Sequence, residues 1–169
     1  NGRDEISLFY FKEGANYATI HTTSSIVSES IVWNQNSNKK KIRALLVNTK
    51  NANTFTGKQG FESLDEISKN LSKCLTVKES KTKEGITDVV KAKDIIFAST
   101  GVIGEKFPVI QINNSIQTLV DKLKSDQNKL IWMKTASAIM TTDTKPKMAY
   151  EEINLGNKII KIVGIAKGS

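Results

Sequence analysis

The most restrictive feature of the sequence is a short apolar run that ends in a glycine turn. The run Asp94-Ile95-Ile96-Phe97 is typical of a buried strand, and residues 98–104, Ala-Ser-Thr-Gly-Val-Ile-Gly, follow it directly. Two glycines three residues apart allow the backbone to turn sharply and to approach a neighbouring segment closely. Small hydroxyl residues and freed backbone N–H groups at a strand exit can also hold a negatively charged oxygen. From the residues alone, the turn is either a packing feature or an anion site.

Composition limits the class of protein. A chain of 169 residues with 38% hydrophobic residues and two prolines can bury a core, so residues 1–169 are predicted as one folded domain, either alone or as one subunit of a larger assembly. The single cysteine, Cys74, excludes an internal disulfide and favours a reducing compartment, which predicts a cytoplasmic location. No apolar run has the length of a membrane span, so no membrane partner is predicted.

The formal charge of +8 raises the question of nucleic-acid binding. The 23 lysines are scattered except at Lys39-Lys40-Lys41, and only two arginines accompany them. The lysine run follows an asparagine-rich stretch, which is typical of a solvated loop. We therefore predict no nucleic-acid partner, although a protein partner could balance the charge.

Several further strands are predicted in the first half of the chain. Residues 6–11 and 17–23 flank Lys12-Glu13-Gly14 and are interpreted as an antiparallel hairpin. Residues 30–33 are predicted as another strand, and residues 43–48 as the clearest buried one. His21, the only histidine, is interpreted as a structural strand residue, and no set of metal ligands accompanies it.

Two amphipathic helices follow from the spacing of apolar residues. Ser63-Leu64-Asp65-Glu66 resembles a capping box and predicts that a helix starts there, with Cys74 in its core-facing half. Asn113 or Asn114 is predicted to cap the second helix. The apolar positions of the two helices are Leu64, Ile67, Leu71 and Leu75 in the first, and Ile116, Leu119, Val120 and Leu123 in the second.

The last third of the chain combines apolar runs with a polar cluster. Residues 130–133 are apolar and could be helical or extended, while residues 79–85 are predicted as a polar loop. Residues 138–140 are predicted as a buried strand that opens into three threonines and Asp143. Asp143 either caps the local backbone or acts directly in function. Residues 158–165 are predicted as the last strand.

Four stretches together resemble the ornithine acetyltransferase family of arginine biosynthesis, also called glutamate N-acetyltransferases. The resemblance extends from one end of the chain to the other, and the stretches occur in the family's order. They are Asn1-Gly2-Arg3-Asp4, Asn51-Ala52-Asn53 with Thr56-Gly57, residues 99–104 with Pro108, and residues 138–147 with Ala166-Lys167-Gly168-Ser169. The sequence departs from the family's pattern at Thr54-Phe55, where small residues are usual.

The resemblance implies a fold and a mode of maturation. Members are made as one precursor that cleaves itself before a threonine, giving an α and a β chain. This chain is then an α chain that lacks both of its ends, and the nucleophilic threonine lies on the β chain. The implied fold is α/β (α+β): a layered sandwich with central mixed β-sheets and outer helices, completed by the β chain. A higher αβ oligomer, a heterotetramer, is also implied.

The resemblance also implies an activity and its residues. The acetyl group would move from N2-acetylornithine to glutamate by a ping-pong mechanism through an acetyl-threonine. Thr100 and Gly101 match the family's oxyanion hole, and Thr141 and Lys167 match substrate-binding positions. The residues expected to support the site are Asn51, Asn53 and Thr56. No metal and no cofactor are expected, and acetyl-CoA remains open as a second acetyl donor.

Two other functions remain open from the residues. Gly101-Val102-Ile103-Gly104 is a G-x-x-G loop, which also occurs in KH-type RNA-binding domains, although its apolar centre is unsuited to phosphate. A self-cleaving amidohydrolase or aminopeptidase of related architecture would transfer the acyl group to water instead.

Overall fold

The computed structural model of the chain describes residues 5–37, 40–80, 89–124 and 127–168. Within these ranges no helix has the length and apolar character needed to cross a membrane. The elements in chain order are β1 (Ile6–Ala15), α1 (Glu29–Gln35), β2 (Ile42–Asn48), α2 (Gly57–Ser80), β3 (Ile95–Ser99), α3 (Val109–Asp121), α4 (Lys129–Ala138), β4 (Lys147–Leu155) and β5 (Lys158–Ala166).

The main sheet has three strands in the order β1-β2-β3. β1 runs antiparallel to β2, with Leu8 opposite Leu46, and β2 runs parallel to β3. The predicted hairpin is wrong because residues 17–23 form no strand and β1 pairs with β2 instead. β2 offers buried apolar positions along its length, whereas Ile20 in the expected partner is fully exposed. Burial of apolar surface therefore selected the distant partner over the adjacent one.

Residues 30–33 are helical, so the strand predicted there is wrong. α1 lies against β3, and its side chains bind the strand's backbone. The Asn34 amide donates to the Phe97 carbonyl at 2.8 Å and accepts from the Phe97 N–H at 2.9 Å, while the Trp33 indole N–H donates to Ile95 O at 2.8 Å. In a helix the adjacent side chains of Trp33 and Asn34 can both contact β3. The hydrogen bonds that they form there outweigh the β propensity of Ile31 and Val32.

Helix α2 begins at Gly57, upstream of the predicted capping box. Ser63 is therefore an interior residue, and its hydroxyl donates to Gln59 O at 2.8 Å. The predicted apolar face is confirmed because all four of its residues are fully buried: Leu64, Ile67, Leu71 and Leu75. Cys74 is half-buried and packs against this core, and burial raises the pKa of its thiol.

Helix α3 begins at Val109, so Asn113 and Asn114 are inside it rather than at its cap. Asn113 instead joins α3 to α2: its carbonyl accepts from the Asn70 amide at 3.0 Å, and its amide donates to Glu66 at 2.7 Å. Of the predicted apolar positions, Ile116 and Val120 are buried and Leu119 and Leu123 pack at the edge of the core.

Residues 130–133 belong to helix α4, which Asn128 caps by accepting from the Ile131 N–H at 3.1 Å. The strand predicted at residues 138–140 is wrong, because Ala138 ends α4 and a turn follows.

The last predicted strand is confirmed as β5. It pairs antiparallel with β4, a strand that was not predicted from the sequence. Trp132 of α4 contacts Phe9 of β1 with ring centroids 5.9 Å apart.

A buried ion pair fixes the end of α2 to the sheet. Glu79 is part of α2 rather than of the predicted loop, whose residues 81–85 lie outside the described ranges. Arg43 of β2 and Glu79 form the pair, the Tyr10 hydroxyl donates to Glu79, and both charged side chains are 8% exposed. The described residues form a three-stranded mixed sheet, a separate two-stranded antiparallel sheet and four α-helices, in agreement with the predicted α/β fold class.

Candidate active site

The exits of β2 and β3 lie side by side because the two strands are parallel, with Asn48 opposite Ser99. The loops that follow are joined by backbone hydrogen bonds. Val102 N–H donates to Lys50 O at 3.0 Å, and Ala52 N–H donates to Val102 O at 2.9 Å. The asparagine loop and the glycine turn, residues 49–56 and 99–104, therefore form one unit.

Gly101 is required by this close approach. Its φ of +137° lies outside the usual range of L residues, and a Cβ at this position would lie 2.2 Å from the carbonyl carbon of Lys50. Packing thus accounts for this glycine, and the same contact holds the Thr100-Gly101 peptide at the surface of the unit.

Thr100 combines an anchored backbone with an available side chain. Its N–H donates to Asn48 O at 3.1 Å, and the residue is half-buried. No hydrogen bond joins its hydroxyl to any residue in the described ranges. Gly101 beside it is exposed. This arrangement leaves a hydroxyl donor on a fixed backbone, which is suited to an oxyanion.

Asn51 supports the far side of the glycine turn. Its buried amide donates to the carbonyls of Glu105 and Lys106 at 3.1 and 3.2 Å, and its carbonyl oxygen accepts from the Asn53 N–H at 2.8 Å. The loop and the turn are therefore joined by this side chain as well as by their backbones.

Asn53 and Thr56 close the asparagine loop onto α2. Asn53 is fully buried, its carbonyl oxygen accepts from the Thr56 hydroxyl at 2.7 Å, and its backbone carbonyl accepts from the Glu29 N–H at 2.8 Å. The loop also contains three left-handed residues, Lys50, Asn53 and Phe55, with φ of 70°, 50° and 58°. Such conformations are costly for residues other than glycine and asparagine. Phe55 belongs to the Thr54-Phe55 pair that departs from the family's pattern, and it is 65% exposed.

Thr141 and Lys167, the two predicted substrate-binding residues, are in contact. The Lys167 ammonium donates to the Thr141 hydroxyl at 2.6 Å, although 26 positions separate the residues. Thr141 lies in the turn after α4 and Lys167 follows β5, so the pairing of β4 with β5 brings them together. The Lys167 side chain is 25% exposed and can reach a ligand.

Asp143 lies at the centre of this second group, with its side chain 1% exposed. One carboxylate oxygen accepts from Gly168 N–H at 2.7 Å and from the Lys147 ammonium at 3.1 Å. The other accepts from Thr141 N–H at 3.2 Å and lies 3.5 Å from the Lys167 ammonium. The Gly168 N–H and Lys147 hold the pKa of Asp143 well below its usual range, against the opposing effect of burial.

We call Thr141, Asp143, Lys147 and Lys167 the charged cluster. Thr141, Asp143 and Lys167 are candidates from the sequence, whereas the contacts of Lys147 were not predicted. Two ammonium groups face one carboxylate, so the cluster carries a formal charge of +1. A net positive charge beside a hydroxyl is suited to binding a carboxylate.

Within the described ranges, no hydrogen bond or ion pair joins the charged cluster to the glycine turn.

A cavity of about 430 Å³ lies beside the asparagine loop. It is lined by Phe55, Gly57 and residues of α1 and the segment before it, but not by Thr100 or Lys167. No group of His, Cys, Asp and Glu among the described residues could hold a metal. His21 is half-buried in a segment without regular structure.

Solved structures define the class of fold. A crystal structure of an arginine biosynthesis bifunctional protein ArgJ from Bacillus halodurans superposes with a TM-score of 0.80 and 24% identity, covering 98% of this chain and 78% of that one. A structure of ornithine acetyltransferase complexed with ornithine, from Mycobacterium tuberculosis, gives a TM-score of 0.73 and 22% identity over 98% and 80% of the two chains. At these identities the likeness concerns the fold.

Sequence comparison gives the family. The ArgJ family model matches residues 1–169, and the chain belongs to that family. Proteins named arginine biosynthesis bifunctional protein ArgJ, from Nitrobacter winogradskyi and Mesorhizobium japonicum, are each 36% identical over 99% of this chain. The chain spans 37% of the length of each of these relatives.

Proposed function

We propose that this chain is the α part of a glutamate N-acetyltransferase that moves an acetyl group from N2-acetylornithine to glutamate in arginine biosynthesis. Membership of the ArgJ family and the names of its relatives support this. The observation that carries the proposal is the 2.6 Å contact between Thr141 and Lys167, because two distant residues matched to substrate binding meet in one cluster.

In the proposed reaction, an N-terminal threonine of the β chain attacks the acetyl carbon of N-acetylornithine. Its own α-amino group serves as the base, which needs no histidine or carboxylate from this chain. The tetrahedral intermediate carries an oxyanion, to which the Thr100 hydroxyl and the Gly101 N–H donate. Collapse expels ornithine and leaves an acetyl-threonine, and attack by the amine of glutamate then gives N-acetylglutamate by a ping-pong sequence.

The charged cluster would bind the carboxylate that both substrates share. An ammonium has three donors, and the Lys167 ammonium has one short hydrogen bond, to Thr141, and a longer contact, to Asp143. One donor therefore remains for a substrate carboxylate, and the net positive charge of the cluster favours an anion. Acetyl-CoA is a possible second acetyl donor, and no metal or cofactor takes part in the proposed steps.

A β chain from the same precursor is the proposed partner, in a higher αβ oligomer located in the cytoplasm. One face of the β4–β5 hairpin supports this because its large apolar side chains are 41–59% exposed: Ile153, Leu155, Ile160 and Ile162. A two-stranded sheet is marginally stable alone, and a contiguous apolar face is typical of an interface. The relatives contain much additional chain that could cover it.

The test is to incubate the complete αβ protein with N-acetylornithine and glutamate and to measure N-acetylglutamate and ornithine. We expect both products in equal amounts. If ornithine forms without N-acetylglutamate, acyl transfer to water replaces the proposed reaction, and the hydrolase alternative is correct. If neither product forms while the β chain is present and cleaved, the proposal is wrong. The KH-type alternative loses its support because the ArgJ family model matches the whole chain.

A further inference from the structure

The charged cluster contains a carboxylate that the proposed reaction does not use. Asp143 is nearly inaccessible, so it cannot touch a substrate directly. It nevertheless accepts from two backbone N–H groups on separate segments, those of Thr141 and Gly168. These segments carry the Thr141 hydroxyl and the Lys167 ammonium, the groups that the proposed function assigns to the substrate.

The four contacts of Asp143 divide between its two oxygens in an informative way. Lys147 and the Gly168 N–H share one oxygen, at 3.1 and 2.7 Å, and the Lys147 ammonium also donates to the Gly168 carbonyl. Lys167 is 3.5 Å from the other oxygen and much closer to Thr141. Lys147 is therefore the closer counter-ion of Asp143, and the charge of Lys167 is only partly compensated.

We infer that Asp143 is a positioning residue, which orients Thr141 and Lys167 toward a substrate carboxylate. Lys147 compensates the charge of Asp143, so the positive charge of Lys167 is available to attract that carboxylate. The inference rests on the proposed function for the identity of the ligand. It assigns the cluster two distinct cations: Lys147 serves the protein, and Lys167 serves the substrate.

The first experiment uses Asp143→Asn in the complete αβ protein, because asparagine keeps the side chain's shape and removes its charge. We expect the KM for N-acetylornithine and for glutamate to rise by about tenfold or more, with kcat within about threefold of the wild type. Lys147→Met should raise both KM values less, by about threefold, because Lys167 is then drawn to Asp143. Asp65→Asn, an exposed aspartate paired with Lys69 on α2, is the matched control and should change neither constant.

A purely structural role would have a different signature. Loss of folded enzyme lowers the apparent kcat and leaves KM unchanged, so unchanged KM values in Asp143→Asn would overturn the inference while the proposed function stands. If the wild type makes no N-acetylglutamate, amide hydrogen exchange without substrate decides instead. Faster exchange of the Thr141 and Gly168 amides in Asp143→Asn would support the positioning role, and exchange at the wild-type rate would contradict it.

Discussion

The glycine turn and the charged cluster differ in what holds their functional groups. In the turn, backbone hydrogen bonds at 2.8–3.1 Å join Thr100 to the end of β2 and Val102 and Gly104 to the asparagine loop. In the cluster, side chains do this work, and a single carboxylate receives four donors. The first region is fixed by close packing and the second by charge.

This difference suits the two proposed tasks. An oxyanion forms at one point and requires donors fixed to within a fraction of an ångström, which a packed backbone provides. A substrate carboxylate arrives from solvent and is attracted by net charge, which a partly exposed lysine provides. Substitutions in the turn should therefore act through the geometry of the oxyanion donors, and loss of the Lys167 charge should act through binding of the substrate carboxylate.

Gly101→Ala should have the largest effect. Its Cβ would overlap the Lys50 backbone, and its φ is unfavourable for alanine, so we expect a loss of about 2–5 kcal/mol in the free energy of unfolding and almost complete loss of activity. Gly104→Ala is the matched control, with positive φ but no atom within 4 Å of the Cβ, and should cost about 1 kcal/mol. Urea denaturation of both variants measures this, and equal costs would contradict the proposed role of close packing.

Ile160→Asp tests the exposed apolar face of the β4–β5 hairpin. If the proposed β chain covers this face, a charge there is strongly unfavourable, so the β chain should no longer co-purify with this chain. Ile110→Asp makes the same change at a site on α3 that is 68% exposed, and should leave co-purification intact. Retention of the β chain by Ile160→Asp would show that the hairpin face lies outside the interface.

Asn53→Ala should destabilise the packed region by about 1–3 kcal/mol, because the Thr56 hydroxyl loses its acceptor and alanine tolerates the left-handed backbone less well. Asn36→Ala removes an exposed amide that donates to Val32 O at 2.8 Å, and should cost less than about 0.5 kcal/mol. Thermal unfolding of the two variants gives the comparison. Similar melting temperatures for both would indicate that Asn53 does not support the loop.

The pH dependence of stability should be the smallest effect. Because the folded protein lowers the pKa of Asp143, the carboxylate stabilises the fold above the unfolded pKa, and this contribution is lost as pH falls through the lower folded value. The stability difference between the wild type and Asp143→Asn should therefore be constant from pH 8 to about 5 and should shrink below about pH 4. Urea titrations at several pH values test this, and a difference that shrinks between pH 8 and 6 would point to another group.

Local sequence patterns predicted the elements that bury one apolar face. The buried face of α2 through Leu71 followed from helical spacing, and the buried strands β2 and β3 followed from short apolar runs, because the residues of each element already show which positions are apolar. The helical state of α1 could not be found this way. Its Ile31-Val32 pair favours a strand, and the contacts of Trp33 and Asn34 with β3 that make it a helix involve residues about 60 positions away.

The candidate site was predictable in part, from a local pattern for some residues and from family motifs for others. Thr100 and Gly101 follow a recognisable strand, and Thr141 and Lys167 could be matched to the family's motifs. The contact of Lys147 with the Gly168 carbonyl depends on the pairing of β4 with β5, and the ion pair of Arg43 with Glu79 depends on the length of α2; sequence patterns provided neither. For Asp143 the sequence left a local cap and a direct functional role as alternatives; the structure shows the local contact, with the Thr141 N–H, and also places the carboxylate 3.5 Å from the distant Lys167 ammonium.

The most direct test of the two-region account is to compare Thr100→Ala with Lys167→Met in the complete αβ protein, by steady-state formation of N-acetylglutamate. Thr100→Ala should lower kcat by about a hundredfold with little change in KM, since it removes a donor to the oxyanion. Lys167→Met should raise the KM of both substrates by about tenfold or more with kcat nearly preserved. The same pattern of kcat and KM in the two variants would contradict the division between a packed turn for the transition state and a charged cluster for the substrate.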